Sequence, residues 1–428
     1  MPEGQNGERT LMETVVFIFS VIVQIISFLF GTYYFIVSLF AWVNKKEKPY
    51  IMNKTHSYAL VVAAHNEEAV IGNMVESLQK LRYPRESFDI FVIADNCTDK
   101  TAEIAREAGA LVYERTNDKE RGKGFALEWM FDIIFGLEKH YDSIAVFDAD
   151  NVVDENFLVE MNKKQNQGYK VVQGYIDSKN PFDSWITSSY TVAFWCVNKI
   201  FQLARYNMGL SCQLCGTGFV IDTQILKDIG WQATCLTEDM EFTMRLVLND
   251  ISVSWAHDAI VYDEKPLTLS QSWKQRTRWM QGHADVASRF VAPLFKKALK
   301  EKKWSPVDCI LYLLQPLRII IMGIITVMMW LQTAYPNGDF GFFQISYLFP
   351  TEIWFIYVAF EFAYTPLIIW LEKQQFSLRL VFVYITYSIY SLTWVPITIM
   401  GILKKNQKEW FHTQHTRTIK IDDFNKVS

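Results

Sequence analysis

Carboxylates, amides and an arginine–tryptophan run stand where they could do chemistry together. Asp148-Ala149-Asp150 ends the apolar run 143–147, SIAVF. Residues i and i+2 of an extended chain project from one face. Two carboxylates so placed can hold a hard divalent ion against a diphosphate; a solvated turn at a strand end would use the same residues. Asp95 ends another apolar run in IADNCTDKT. It could accept a hydrogen bond from a nucleobase, or cap the following helix, as could Asp99. Arg121-Gly122-Lys123-Gly124 sets two cations on flexible backbone at a helix start, where phosphate is favoured; solvated charges on a glycine-rich loop are the plainer account. Thr237-Glu238-Asp239 precedes MEFTMRLVL. Acids in a first helical turn are ordinarily dipole partners, and the chemical alternative makes Asp239 a general base. Gln275, Arg278 and Trp279 lie at i, i+3 and i+4 and share one helix face. Gln and Arg there can bind a pyrophosphate, and Trp offers a flat face to a sugar ring. An interfacial helix with Arg and Trp at the headgroups would also place them so.

These groups need a scaffold, and residues 50–280 supply short apolar runs alternating with helical patterns, an α/β signature. Strands are expected at 58–64 (YALVVAA), 89–94, 110–113 and 143–147. Helices are expected at 67–81, 101–108 and 123–135. Ligands of such folds gather at the carboxyl ends of strands. His65-Asn66-Glu67-Glu68, Asp95-Asn96 and Asp148-Ala149-Asp150 all follow expected strands. Neither GxGxxG nor a P-loop occurs, so no dinucleotide or kinase-type site is signalled.

Half of the 428 residues are hydrophobic while mean hydropathy is only +0.05, so apolar content must be concentrated. It is concentrated at both ends. Residues 11–43 are almost unbroken apolar sequence, longer than the ~20 residues that span a bilayer. Lys45, Lys46 and Lys48 follow, which places the chain from about 45 onward in the cytosol. Residues 309–332, 345–371 and 378–403 could each span. The loop around Asn337–Asp339 lacks Lys and Arg and reads as external; Lys373 and Arg379, and then Lys404, Lys405 and Lys408, read as internal. The third segment would thus begin and end on one side, with Pro396 bending it into a re-entrant piece or else an external tail. The expected organisation is a transmembrane segment at 11–43, a cytosolic domain at 50–284, an amphipathic interfacial helix at 285–304, a transmembrane or re-entrant region at 305–403 and a cytosolic tail at 404–428. The net charge of −4 argues against general nucleic-acid binding. Among six cysteines only Cys212 and Cys215 form a CxxC, a weak zinc signal.

HNEE, ADN, GKG, DAD, TED and QRTRW, in this order over about residues 55–285, resemble the family 2 glycosyltransferases. The likeness is greatest to their membrane-embedded processive branch, which includes cellulose, hyaluronan, chitin and poly-N-acetylglucosamine synthases. The resemblance implies an α/β GT-A domain flanked by transmembrane and interfacial helices. It implies a nucleotide sugar, UDP-linked, as donor, held by His65, Glu67, Asp95, Lys123, Asp148, Gln275 and Arg278. Asp148 and Asp150 would hold Mg2+ or Mn2+, and Asp239 would be the catalytic base. Cys215, Gly216, Thr217, Glu238 and Trp279 would meet the acceptor, a growing β-linked polysaccharide or a lipid, at the bilayer. His65 stands where the family often has Tyr; its ring can still stack on a base. Trp410, His412, Thr413, His415 and Thr416 resemble a closing element of related synthases, or form an interfacial anchor. Two other readings are a single-transfer enzyme acting on a lipid and a non-catalytic transport component. In the latter, Gln315, Arg318, Glu352, Glu361 and Glu372 would line a passage.

Overall fold

The computed structural model of the chain describes residues 11–43, 45–232, 234–334, 363, 365–370, 378–407, 415 and 417–424. Most of the expected segment 345–371 lies outside the described residues. So do the loop at 337–339, Glu352, Glu361, Glu372, Trp410, His412, Thr413 and Thr416.

One mixed sheet of eight strands organises the soluble part, in the order β3-β2-β1-β4-β7-β6-β8-β5. Its strands are β1 (Tyr58–Ala64), β2 (Phe88–Asp95), β3 (Leu111–Arg115), β4 (Ser143–Asp148), β5 (Val152–Val153), β6 (Val171–Ser178), β7 (Phe219–Asp222) and β8 (Val253–Asp263). The runs YALVVAA and FDIFVIAD are continuous rather than alternating because β1 and β2 are covered on both faces. One face packs on Leu127, Met130 and Phe131. The other packs on Met74, Leu78, Phe157 and Met161.

The pairing puts the strand ends where chemistry is expected. β1 pairs in parallel with β2 and β4, and β2 with β3. β7 runs antiparallel to both β4 and β6, and β6 pairs in parallel with β8. Six strands therefore end at one edge, and β7 begins there. That edge collects Ala64, Asp95, Arg115, Asp148, Ser178 and Asp263, and the loop leading into Phe219. Gly174 in β6 is a packing necessity: a Cβ there would sit 2.5 Å from the Ala259 carbonyl.

The helices are α1 (Leu11–Leu39), α2 (Ile71–Gln79), α3 (Thr101–Glu107), α4 (Lys123–Phe135), α5 (Phe157–Asn166), α6 (Trp185–Cys196), α7 (Ala204–Met208), α8 (Thr223–Ile229), α9 (Glu238–Leu248), α10 (Leu269–Glu301), α11 (Trp304–Leu313), α12 (Gln315–Ala334), α13 (Leu378–Leu392), α14 (Trp394–Leu403) and α15 (Ile421–Phe424). A π-helical stretch, Val197–Leu203, joins α6 to α7. The helix expected from residue 67 starts four residues late. Asn66 adopts φ +55°, and the Glu67 N–H donates to Thr101 Oγ1 at 2.8 Å, so 65–70 form a turn.

The helix α10 runs without a break from QRTRW through the lysine-rich stretch, opened by a Thr268/Gln271 capping box. In its second half Phe295 and Leu299 are exposed. Among the described residues two helices are long and apolar enough to cross a membrane, Phe17–Trp42 and Phe382–Leu403. The expected 309–332 segment is instead a pair, Trp304–Leu313 and Gln315–Ile325, bent by 49°. Pro316 lacks the N–H that would bond Tyr312, and its ring crowds that carbonyl. Pro396 acts likewise toward Leu392 and breaks the helix at Thr393. A buried ion pair ties α1, α7 and α11 together: Arg205 donates twice to Asp308 at 2.9 Å, and the Tyr33 hydroxyl donates to Asp308 at 2.6 Å.

Candidate active site

A cavity of about 1380 Å³ opens at the shared strand edge and continues between α12, α13 and α14. His65, Glu67, Asp95, Lys123, Asp148, Asp150, Cys215, Gly216, Thr217, Glu238, Asp239, Gln275, Arg278 and Trp279 all line it.

At one end, His65 Nδ1 lies 2.7 Å from the Asp95 carbonyl. The Asp95 carboxylate does not stand alone: Arg115 Nη1 donates to it at 2.7 Å and Asn96 Nδ2 at 3.2 Å. Arg115 also donates to the Glu120 carbonyl at 3.0 Å, which braces the loop before Lys123.

In the centre, Lys123 Nζ pairs with Asp148 and donates to the Gly216 carbonyl at 2.6 Å. Burial opposes its charge, but Asp148 and Glu238 outweigh burial and raise its pKa. The Asp148 N–H donates to Thr217 Oγ1 at 3.1 Å. Asp150 is buried, which lifts its carboxyl well above the usual range, and neighbouring Asp263 adds to this. Asp239 lies in the first turn of its helix and accepts from the Met240 N–H at 2.7 Å. Burial pushes it up to about 6, against the Met240 N–H and Lys123. Glu238 beside it rises to about 7, from burial and then from the Asp239 charge. Gly216, at φ +81°, brings its backbone to Asp239: an added Cβ would lie 3.6 Å from Asp239 Oδ2.

At the membrane side, Gln275 Oε1 accepts from the Tyr190 hydroxyl at 3.0 Å. The Arg278 Nε is buried and finds no acceptor among the described residues. Trp279 meets Tyr190 edge-on with ring centres 6.1 Å apart. The Cys215 thiol is pushed up to about 12 by burial and by Asp239. It takes an amide hydrogen from Gln202 at 3.2 Å. Among the described residues no group of three or more His, Cys, Asp or Glu side chains is arranged to hold a metal by itself. A strand-end carboxylate pair that shares its ion with a diphosphate and water needs only two protein ligands.

The sequence reading passed over Asp263-Glu264-Lys265. Asp263 accepts from Asn151 at 3.3 Å and from Lys265 at 2.7 Å, and buried Lys179 lies 3.6 Å from Glu264. The signal was present: AIVY followed by DEK repeats the pattern of SIAVF followed by DAD. Arg115 is a second omission, a strand-end cation that the register of β3 sets directly opposite Asp95. The tail also enters the cavity. His415 Nδ1 lies 2.9 Å from Glu67, and Nε2 lies 3.6 Å from Asp150. Arg417 fastens this segment to Asp183 at 2.6 Å, and Asp422 takes Lys80 at 2.8 Å.

Known proteins resemble this chain along most of its length. The probable glycosyltransferase YdaM of Bacillus subtilis is 25% identical over 389 residues, 87% of this chain and 88% of that one. A beta-monoglucosyldiacylglycerol synthase of Nostoc sp. is 28% identical over 298 residues, 65% of this chain and 62% of that one. A poly-beta-1,6-N-acetyl-D-glucosamine synthase of Staphylococcus epidermidis is 28% identical over 299 residues, 65% and 68% of the two chains. Among solved structures, the mannosyltransferase PcManGT from Pyrobaculum calidifontis, in complex with GDP-Man and Mn2+, superposes with a TM-score of 0.59. The match covers 91% of this chain and 99% of that one at 14% identity, a likeness of fold. The family described as glycosyltransferase like family 2 matches residues 56–282, just over half of the chain. With its curled α/β sheet and flanking apolar helices, the chain belongs to the family 2 glycosyltransferases and has their GT-A fold.

Proposed function

We propose that the chain transfers a sugar, with inversion, from a UDP-sugar to the hydroxyl of a growing β-linked polysaccharide at the inner face of the membrane. The observation that carries this reading is the cavity itself. It joins a strand-end carboxylate pair, a buried carboxylate of raised pKa and an arginine nitrogen that finds no acceptor among the described residues to a wall of aromatic rings.

Asp95, braced by Arg115, accepts from the base, and His65 stacks on it. Glu67 lines the same end. Gln275 and Arg278 take the diphosphate, Arg278 in part through an Nε that finds no acceptor among the described residues. Lys123 adds charge at the phosphates when it leaves Asp148. Asp148 and Asp150 are hard oxygen donors, one of them buried beside a further carboxylate, and such a pair fits Mg2+ or Mn2+. An ion bound there offsets charge on the departing diphosphate. Asp239 takes the proton from the acceptor hydroxyl as that oxygen forms its bond to the anomeric carbon; the bond to the diphosphate oxygen breaks with its electron pair. Attack opposite the leaving group inverts the centre. Glu238 and the loop Cys215-Gly216-Thr217 border the acceptor, and Trp279 stacks on its terminal ring.

Tyr190, Phe194, Tyr390 and Trp394 extend the aromatic wall beyond Trp279, which supports a glycan acceptor and its passage toward the bilayer. Lys45, Lys46 and Lys48 after the first span support a cytosolic catalytic domain and a multi-pass protein in the cell membrane. One observation favours a second reading, single transfer to a lipid. The far end of the cavity is lined by Ile319, Met322, Val327, Leu392 and Val395, which suits an acyl chain. Membership of a transferase family sets aside a purely transporting role. The full chain in lipid nanodiscs, offered a panel of nucleotide sugars with Mg2+ or Mn2+, tests the proposal. Nucleoside diphosphate release with a ladder of products is expected. One sugar per lipid selects the second reading, and no release from any donor overturns both.

A further inference from the structure

We infer that Arg276 is a positioning residue that fastens the elbow of the Phe382–Leu403 span to the catalytic helix, and so sets the acceptor wall. This rests on the proposed function, because it assigns Trp279 to that wall.

The inference starts from a buried cation. Arg276 is fully buried on α10 and is not among the residues lining the cavity. No carboxylate is paired with it among the described residues. Its guanidinium lies 4.2 Å from the ring centre of Tyr390, 4.9 Å from that of Trp394 and 6.0 Å from that of Tyr190. Nη1 donates to Thr393 Oγ1 at 2.9 Å, while Nε and Nη2 find no acceptor among the described residues. A desolvated charge needs compensation, and here the ring faces and one hydroxyl provide it. A methionine would pack in such a place without that demand, so the cation must be doing something other than filling space.

What it touches identifies the task. Thr393 is the break between α13 and α14, where Pro396 interrupts the helix. Tyr390 and Trp394 flank that break, come from the membrane side and line the cavity. Tyr190 is the other arm: its ring packs on Tyr390 with centres 5.4 Å apart. Its hydroxyl donates to Gln275, and its ring meets Trp279. Arg276 thus holds both sides of one aromatic wall, the membrane elbow and the Tyr190–Trp279 pair. Removing it frees the elbow and loosens the wall, while the strand-end groups that hold the donor stay in place.

The test uses the full chain in nanodiscs, with whichever UDP-sugar turns over and a β-linked oligosaccharide or a diacylglycerol vesicle as acceptor. Arg276→Met should raise the acceptor KM, or shorten the polymer, by tenfold or more, on the order expected for losing a hydrogen bond to a charged group. Donor KM and UDP affinity should stay within about threefold of wild type. Arg276→Lys, which keeps the cation over the rings, should recover most of the loss. Thr393→Val removes only the acceptor oxygen and should shift acceptor KM in the same direction by less. Equal changes in donor and acceptor KM, or no recovery by Lys, would overturn the assignment as mere packing. If Arg276→Met does not fold, Thr393→Val decides: an unchanged acceptor KM overturns the inference. Failure of the proposed function looks different, since wild type would then release no diphosphate or Asp239→Asn would stay active.

Discussion

The two ends of the cavity that the proposed function assigns to donor and acceptor are built in different ways. At the donor end, parallel strands β1 to β4 deliver polar groups to one edge, and the partners are near in sequence. Arg115 and Asp95 are 20 residues apart, Lys123 and Asp148 are 25 apart. At the acceptor end the wall is assembled from α6, α10, α13 and α14. Arg276 reaches Thr393 across 117 residues. On the proposed function, a locally encoded half would handle chemistry common to many sugars, while a half dependent on the membrane portion would handle what receives them. Changes at the donor end should alter rate and donor affinity; changes at the acceptor end should alter product.

The largest expected effect is metal removal. Chelation with EDTA should abolish transfer, and Mg2+ or Mn2+ should restore it, because Asp150 and Asp148 cannot by themselves neutralise a leaving diphosphate. Full diphosphate release without divalent ions would break the donor-end account. Next is Arg278→Ala, which removes a buried donor that finds no acceptor among the described residues. A fall of roughly 10²–10³ in kcat/KM is expected, and steady-state kinetics on the donor checks it. A change confined to product length would move Arg278 to the acceptor half.

How far each half could be read from sequence follows the same division. YALVVAA, the helix at Lys123–Phe135 and the strand ending at Asp148 were legible because each depends on its own residues and near neighbours. The late start of α2 was not, since it depends on Asn66 at positive φ and on Thr101 from a neighbouring helix. Asp263 needed the register of β8 beside β6 to bring it near Asp150. The break before Pro316 had a visible cause in the proline itself, hidden by the apolar length around it. Arg115 was concealed by charge: a cation at a strand end reads as solvent-facing until its carboxylate is found.

Arg115→Ala sharpens the contrast from inside the donor half. It leaves Asp95 buried without its cation, at a cost of about 3 kcal/mol in stability. It should also raise donor KM by about tenfold while leaving product length unchanged. Thermal melts and donor titration read the two effects. A smaller effect is expected from pH. Asp239 must be deprotonated to accept the hydroxyl proton, and burial raises its pKa to about 6. Transfer should therefore be lost as pH falls through about 6 and be complete above it, with nucleotide binding less affected. A flat profile from pH 5 to 8 with chemistry rate-limiting would place the proton acceptor elsewhere.

The most direct test of the central claim is Asp239→Asn, measured for transfer and UDP binding side by side. The neutral amide keeps the shape and cannot take a proton, so transfer should fall by about 10³ or more, with UDP affinity within about threefold of wild type. Transfer near the wild-type rate would contradict the claim that Asp239 is the base around which this site is built.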